Sequence, residues 1–313
     1  MKLYILDPIA PSGVDYLREK APQAQLVFWD DPELPRWPED ADGLIVRLSP
    51  VAAEDISRAQ RLRVIAKHGV GVENIDLDAA KNRGVIVANT PAVNSEAVAE
   101  QAVALSLAVA RRLAEFDRRV RAGETVERAD LIGSGFWQKP IGIIGMGNIA
   151  TRVALKWRGA FDAQLFAYDP YAPEDQWSDI AHKRVTSLGD LLPEVELVTL
   201  HVPLTSETRH LIGERELAAM RPSGIVVNVS RGGIVDEAAL YRAILEGQIF
   251  GAGLDVWEEE PPTFRNPLVG LPTVLVTPHA AGGTVDNQSN TGLEVARVLL
   301  AALEGATDIN RMA

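Results

Sequence analysis

The chain has 313 residues, of which 47% are hydrophobic and 24% charged; its formal charge is −12 and it has no cysteine. That length suits two domains, and the composition is ordinary for a folded globular protein. The acidic balance argues against nucleic acid or an anionic membrane as partner. The missing cysteine excludes disulfides, thiolate catalysis and cysteine-based metal sites, and no metal is expected.

The opening stretch MKLYILDPIA carries one Lys and a short apolar run ended by Asp7-Pro8. It reads as a first strand and not as a signal peptide, and a cytoplasmic location is the expectation. Further strands are predicted at Leu26–Trp29, Gly43–Val46, Val64–Lys67 and Val85–Ala88, after Lys2–Leu6. A second series follows at Ile141–Ile144, Gln164–Tyr168, Leu197–His201, Ile225–Val229, Ala252–Val256 and Thr273–Val276. Near-continuous apolar strands separated by helical patterns indicate parallel sheets covered on both faces. The expected fold is therefore α/β, with two doubly wound parallel-sheet domains.

Between the two series one long helix is predicted, with Asn94 as its N-cap and Glu96 where the helix dipole favours an anion. Val98, Ala102, Leu105, Val109, Leu113, Phe116 and Val120 recur at helical spacing, and Val103, Leu107 and Ala110 widen the stripe. Such a helix suits a domain junction or a subunit interface; an ordinary core helix fits the pattern equally well. The apolar run Ala102–Ala110 is too short to cross a bilayer. Residues Ala122–Pro140 lack periodicity and read as a connector.

The strand Ile141–Ile144 runs straight into Gly145-Met146-Gly147-Asn148-Ile149-Ala150, and a helical pattern follows through Val153, Ala154 and Trp157. This is G-x-G-x-x-A in the strand–turn–helix context that a dinucleotide site needs. Gly145 permits the turn, Gly147 admits a pyrophosphate, and Ala150 is small enough for close helix packing. The helix N-terminus then offers N–H groups to the phosphates. The next strand ends in Asp169, 24 residues after Gly145. A carboxylate there accepts the ribose hydroxyls and repels a 2′-phosphate, which favours NAD over NADP. A turn residue before Pro170 would also explain this Asp. Up to this point a methyltransferase binding S-adenosylmethionine gives the same pattern.

Three segments then follow strand ends: Asn228-Val-Ser-Arg231-Gly-Gly, Asp255-Val-Trp-Glu-Glu-Glu260-Pro-Pro, and Thr277-Pro-His279-Ala-Ala-Gly282. Arg231 can hold a carboxylate in a planar fork and polarise the carbonyl beside it. His279 can exchange a proton with that carbonyl oxygen. Glu260 would stabilise the resulting imidazolium. Each residue alone has a plainer explanation: a surface ion pair for Arg231, a solvated acidic run at Glu258–Glu260, a structural histidine for His279. Of the other four histidines, His201 ends a strand and is the second choice for acid/base work; His182 and His210 lie in polar stretches.

With these segments the chain resembles the D-isomer-specific 2-hydroxyacid dehydrogenases, in the branch of phosphoglycerate dehydrogenase, hydroxypyruvate reductase and glyoxylate reductase. The resemblance runs from KHGVGVENID (Lys67–Asp76) and ANTPAVNSEAVAEQAVAL (Ala88–Leu105) through GIIGMGNIA, LHVPLTSETRHLI and NVSRGGIVDEAAL to AGLDVWEEEPP and TPHAAGGT (Thr277–Thr284). It implies that Arg231, Glu260 and His279 are the catalytic trio. It implies a flavodoxin-like substrate domain, residues 1–96 plus 287–313, into which a Rossmann NAD-binding domain, residues 97–286, is inserted. The loop Gly69-Val70-Gly71 matches the backbone that holds the substrate carboxylate, with Arg231, and Arg47 matches a position in the distal substrate pocket. Val70, Gly145, Gly147, Asn148, Ile149, Asp169, Val202, Val229, Ser230, Arg231, Asp255, His279 and Gly282 match cofactor contacts, Asp255 receiving the carboxamide. Gln101 stands where the family often has His.

The implied activity is NAD-dependent hydride transfer at C2 of a small 2-oxo or D-2-hydroxy acid, by a homodimer built around the helix after Asn94. The alternative is an NAD(H)-sensing binding protein on the same fold with little turnover.

Overall fold

The computed structural model describes residues 1–130 and 132–313. The chain divides into two compact units, residues 1–94 with 283–313, and residues 95–282.

The first unit is built on five parallel strands: β1 (Lys2–Ile5), β2 (Gln25–Val27), β3 (Gly43–Val46), β4 (Val64–Lys67) and β5 (Ile86–Ala88). Their order is β2-β1-β3-β4-β5, with β1 paired in parallel to both β2 and β3. Strands β3 and β4 are buried along their whole length, as an apolar run in a parallel sheet requires. One face is covered by the helices Pro11–Lys20 and Val285–Leu303, which bring Val14, Leu17, Val295 and Leu299 onto Leu3, Ile5 and Ile45. The other face packs Tyr4, Leu44 and Ile65 against Trp37 and Ile56. Each such fully buried aliphatic side chain contributes about 1.5–3 kcal/mol.

The second unit holds seven parallel strands: β6 (Pro140–Ile144), β7 (Gln164–Tyr168), β8 (Lys183–Arg184), β9 (Leu197–Leu200), β10 (Ile225–Asn228), β11 (Gly251–Leu254) and β12 (Val274–Val276). Their order is β12-β11-β10-β9-β6-β7-β8. One face packs Val98, Ala102 and Leu105 of the helix Ser95–Ala110, and Trp157 of the helix Asn148–Phe161, with Ile141, Ile143 and Val227. The other face packs Leu191, Leu217 and Leu240 with Val198, Leu200 and Val226.

The α/β class and the strands match the expectation to within a few residues at their ends. Two features differ. The two-residue strand β8 was not foreseen, because Lys183 and Arg184 carry no apolar pattern; they join the sheet by pairing with Phe166 and Ala167. The single long helix after Asn94 is two helices, Ser95–Ala110 and Leu113–Arg121. Arg112 breaks it with a left-handed backbone, φ 55°. Its guanidinium fastens the break, donating to Glu115 at 2.6 and 2.8 Å and to the carbonyl of Asp130 at 2.6 Å. Beyond it the apolar stripe leaves the core: Leu113 and Val120 are exposed.

Candidate active site

The order of the second sheet reverses between β6 and β9. Open parallel sheets form a ligand crevice outside their carboxyl ends at such a switch point. The loops bordering it are Gly145–Gly147 after β6 and His201–Arg209 after β9.

The glycine loop fits a dinucleotide. Gly145 has φ +93°, and a Cβ there would lie 2.4 Å from the carbonyl oxygen of His201. The turn therefore needs glycine both for its dihedral and for its closeness to the neighbouring loop. A Cβ at Gly147 would meet no atom within 4 Å, so that position opens on free space. Gly147 is also the N-cap of the helix Asn148–Phe161, and no side chain caps the helix. Its first-turn N–H groups, including those of Asn148 and Ile149, stand at the loop, where they would hold a pyrophosphate.

Asp169 follows β7 and ties the loops together. Its Oδ2 accepts from the N–H of Met146 at 2.9 Å, and its Oδ1 from those of Tyr171 and Ala172 at 2.9 and 3.1 Å. It is thus more than a turn residue before Pro170, since it reaches back to the glycine loop from the next strand. Val202, in the loop after β9, lies against Gly145.

The three chemical segments come from β10, β11 and β12. Nδ1 of His279 lies 2.8 Å from Oε2 of Glu260. Both side chains are part-exposed, 48% for His279 and 37% for Glu260. Glu260 Oε1 also accepts from the N–H of Trp257 at 3.2 Å, which fixes the carboxylate from its own loop. His279 has a left-handed backbone, φ 55°, and its N–H donates to the carbonyl of Asp255 at 2.7 Å.

Asp255 is fully buried, and its carboxylate shapes the histidine loop. It accepts from the N–H groups of Ala280 and Ala281 at 2.8 and 2.9 Å and from the hydroxyl of Thr277 at 2.5 Å. The carboxamide contact expected of Asp255 would have to share these oxygens. Thr277 in turn accepts from Nε2 of Gln101 at 3.2 Å, so the residue standing where the family often has His links the helix Ser95–Ala110 to the His279 loop. The sequence gives no sign of this role for Thr277 beyond its place two residues before His279.

Arg231 follows β10 on a loop braced by Asn228, which donates to the carbonyl of Arg231 at 2.9 Å and accepts from the N–H of Ser230 at 3.1 Å. Ser230 bonds the carbonyl of Leu200, joining the loop to β9, and Val229 is buried. The guanidinium donates to the carbonyl of Ser230 at 2.7 Å. A Cβ on the next residue, Gly232, would lie 1.7 Å from the carbonyl oxygen of Trp257. The Arg231 loop and the Glu260 loop therefore touch backbone to backbone. Gly282 closes this unit at the far end of the His279 loop.

His201 does not suit acid/base work. Its Nε2 lies 2.9 Å from the hydroxyl of Thr199, and its Nδ1 is buried without a partner. Burial pushes its pKa down to about 3, so the ring stays neutral. His210 is a surface residue whose Nε2 lies 3.2 Å from Oε1 of Glu258. His182 bonds the carbonyl of Ile180 at 2.7 Å and packs edge-on to Trp177.

The remaining candidates lie in the first unit, at the carboxyl ends of β3 and β4. Gly69, with φ +115°, exchanges hydrogen bonds with Thr90, and the carbonyl of Val70 accepts from Asn89 at 2.7 Å. Gly71 follows in the same loop. Arg47 is held at its backbone, its N–H donating to Asp7 at 2.7 Å and its carbonyl accepting from the Lys67 ammonium at 2.5 Å. Burial raises the Asp7 carboxyl, but the backbone N–H groups of Arg47, Ser49 and Leu48 and the Ser49 hydroxyl outweigh it, and the net shift is downward. No helix among the described residues is long and apolar enough to cross a membrane.

Residues 103–281 match the family model described as D-isomer specific 2-hydroxyacid dehydrogenase, NAD binding domain. The chain is 39% identical over 307 residues to a D-3-phosphoglycerate dehydrogenase of Archaeoglobus fulgidus, covering 97% of this chain and 58% of that relative. It thus spans little more than half the length of that protein. It is also 39% identical over 296 residues to a glyoxylate reductase of Korarchaeum cryptofilum, covering 93% of this chain and 87% of the relative. Among solved structures, D-lactate dehydrogenase from Aquifex aeolicus, in complex with NAD and lactic acid, superposes with a TM-score of 0.82 at 30% identity, covering 97% of this chain and 96% of that one.

Proposed function

Because the chain belongs to the D-isomer-specific 2-hydroxyacid dehydrogenase family, we propose that it is an NAD-dependent oxidoreductase interconverting a small 2-oxo acid and its D-2-hydroxy acid. Glyoxylate, hydroxypyruvate and phosphohydroxypyruvate are the substrate types. The observation that carries this reading is the His279–Glu260 pair in the same unit as the glycine crevice. Those two features belong to one reaction, and a methyltransferase has no need of the pair.

When bound, the nicotinamide supplies or accepts the hydride. The glycine loop, the helix N-terminus at Asn148 and Asp169 would hold its dinucleotide. The protein's own part is positioning and proton transfer. Glu260 engages Nδ1 of His279, which leaves Nε2 as the nitrogen that meets substrate. In reduction, Nε2–H of the imidazolium gives its proton to the carbonyl oxygen as C2 is reduced; the neutral ring then keeps its proton on Nδ1, donated to Glu260. In oxidation, Nε2 takes the hydroxyl proton and Glu260 steadies the imidazolium that forms. Arg231 would bind the substrate carboxylate through a two-pronged hydrogen bond, with the backbone of Gly69–Gly71 as a second carboxylate support and Arg47 towards the far end of the substrate.

The functional assembly is a homodimer. The apolar face of the helix Leu113–Arg121, with Leu113 and Val120 exposed and Phe116 half-buried between them, supports this reading. Sedimentation of the chain as a monomer would remove it.

The decisive experiment is NADH oxidation across 2-oxo acids of differing length and charge, with NADPH in parallel. Turnover with at least one short 2-oxo acid is the expected result. Tight NADH binding without turnover on any of them would favour the sensor reading instead.

A further inference from the structure

Two loops border the adenosine end of the crevice, and each is rigid on its own account. The loop after β7 is clamped by Arg184, whose guanidinium donates to the carbonyls of Asp169, Ala172 and Pro173 at 2.9, 2.5 and 2.6 Å. The loop after β9 is held by Thr205 and Thr208. Thr208 donates to the carbonyl of Pro203 at 2.6 Å and accepts from the N–H of Thr205 at 2.7 Å, and Thr205 accepts from the N–H of Glu207 at 3.2 Å. These two loops meet through a hydrogen bond from the Tyr171 hydroxyl to Glu207 Oε2.

The sheet order gives that contact its meaning. Strands β9, β6 and β7 are neighbours in that order. A bond from the loop after β7 to the loop after β9 therefore passes over the loop after β6, which is the glycine loop. Tyr171 is two residues beyond Asp169, the ribose-facing carboxylate. The bond ties a second carboxylate, Glu207, to the loop that carries Asp169.

The charges there decide the outcome for a 2′-phosphate. Asp169 has both oxygens engaged by three backbone N–H groups, which disperse its charge. Arg184 makes no ion pair among the described residues, and its guanidinium sits under the same loop. An arginine at this end is what accommodates a 2′-phosphate in NADP-binding members of the fold. Arg209, the other guanidinium on these loops, is turned toward Gly233 on the loop after β10. Glu174, Asp175 and Asp179 make the loop after β7 acidic as well; Glu207 is the carboxylate that the Tyr171 hydroxyl ties to it from the loop after β9.

Resting on the dehydrogenase reading, we propose that Glu207, held in place by Tyr171, is a specificity-determining residue that rejects the 2′-phosphate of NADP. Asp169 offers the ribose hydroxyls an acceptor; Glu207 adds a tethered negative charge that opposes a 2′-phosphate.

The test is the affinity of the full chain for NADH and for NADPH, read by quenching of its tryptophan fluorescence, in wild type, Glu207→Gln and Tyr171→Phe, at low and high salt. Wild type favours NADH, and its preference shrinks as salt screens the repulsion. Glu207→Gln strengthens NADPH binding at least about fivefold and changes NADH binding far less, with a weaker salt dependence. Tyr171→Phe, which keeps the carboxylate but frees it, loses part of the preference. An unchanged NADPH-to-NADH ratio in Glu207→Gln overturns the assignment, as does an equal loss of both affinities, which would mean a structural role. Wild type binding neither dinucleotide would overturn the dehydrogenase reading and this inference with it; wild type binding NADH with an unmoved ratio in the variant overturns this inference alone.

Discussion

Nδ1 of His279 and Oε2 of Glu260 lie 2.8 Å apart, although 19 residues and a strand separate them in the chain. A proton on Nδ1 pointed at the carboxylate leaves Nε2 as the open nitrogen, the one that exchanges a proton with substrate in the proposed reaction. Replacing His279 by Ala should lower kcat by at least about a hundredfold, the ordinary worth of a positioned acid/base. NADH affinity should fall far less than kcat. Glu260→Gln keeps a hydrogen-bond partner and loses the charge, so its loss of kcat should be smaller than that of His279→Ala. Steady-state kinetics beside NADH titration checks both. Turnover preserved in His279→Ala would falsify the assignment.

Thr277 carries a second prediction. Its hydroxyl donates to Asp255 and accepts from Gln101, and Asp255 holds the backbone of Ala280 and Ala281. Thr277→Val has nearly the same shape but leaves the buried Asp255 carboxylate one donor short and Gln101 without its acceptor. The cost is about 1–3 kcal/mol of stability. A loosened His279 loop should lower kcat more than it raises KM, while Thr277→Ser restores both hydroxyl bonds and most of the activity. Equal effects of Val and Ser would show that the hydroxyl has no positioning role.

Gly232 offers a test of the junction between the Arg231 and Glu260 loops. A Cβ there would lie 1.7 Å from the Trp257 carbonyl oxygen, and backbone on both sides leaves no flexible side chain to give way. Gly232→Ala should cost more than about 3 kcal/mol or displace one loop. Denaturant unfolding and kcat/KM should both report it. A variant as stable and as active as wild type would mean that the two loops do not depend on each other.

How legible these features were depended on how local they are. The glycine loop could be read because strand, turn and helix are consecutive and the positive φ of Gly145 belongs to that turn; its closeness to the His201 carbonyl on another loop could not. The Glu260–His279 distance could not be read: it depends on where β11 and β12 end and on the left-handed backbone at His279. The Gln101–Thr277 bond joins residues 176 apart, and a helix-face Gln gives no sign of its partner. The helix break at Arg112 was hidden because Leu113, Phe116 and Val120 keep helical spacing across it; periodicity records facing and is blind to a single left-handed residue. Tyr171 and Glu207 are polar loop residues whose relation exists only once β9, β6 and β7 lie side by side.

Two histidines, each with a buried ring nitrogen, make acid stability the last prediction. Burial pushes His201 down to about 3, and burial together with the nearby Arg47 charge pushes His68 down to about 4. Each belongs to a different unit. In the unfolded chain both titrate near the ordinary value of about 6.5. Below that pH the unfolded chain takes up protons that the folded chain refuses, so stability falls with pH, from about 6.5 to about 4 for His68 and to about 3 for His201. Each histidine contributes up to about 1.4 kcal/mol per pH unit within its window, and nothing above it. Glu237 acts in the opposite sense, since burial raises its carboxyl and its protonation favours the folded state. Denaturant midpoints between pH 4.5 and 7.5 should therefore fall on the acid side, and more shallowly by one proton in His201→Asn and in His68→Asn. Slopes identical to wild type in both variants would mean that these rings protonate without opposing the fold.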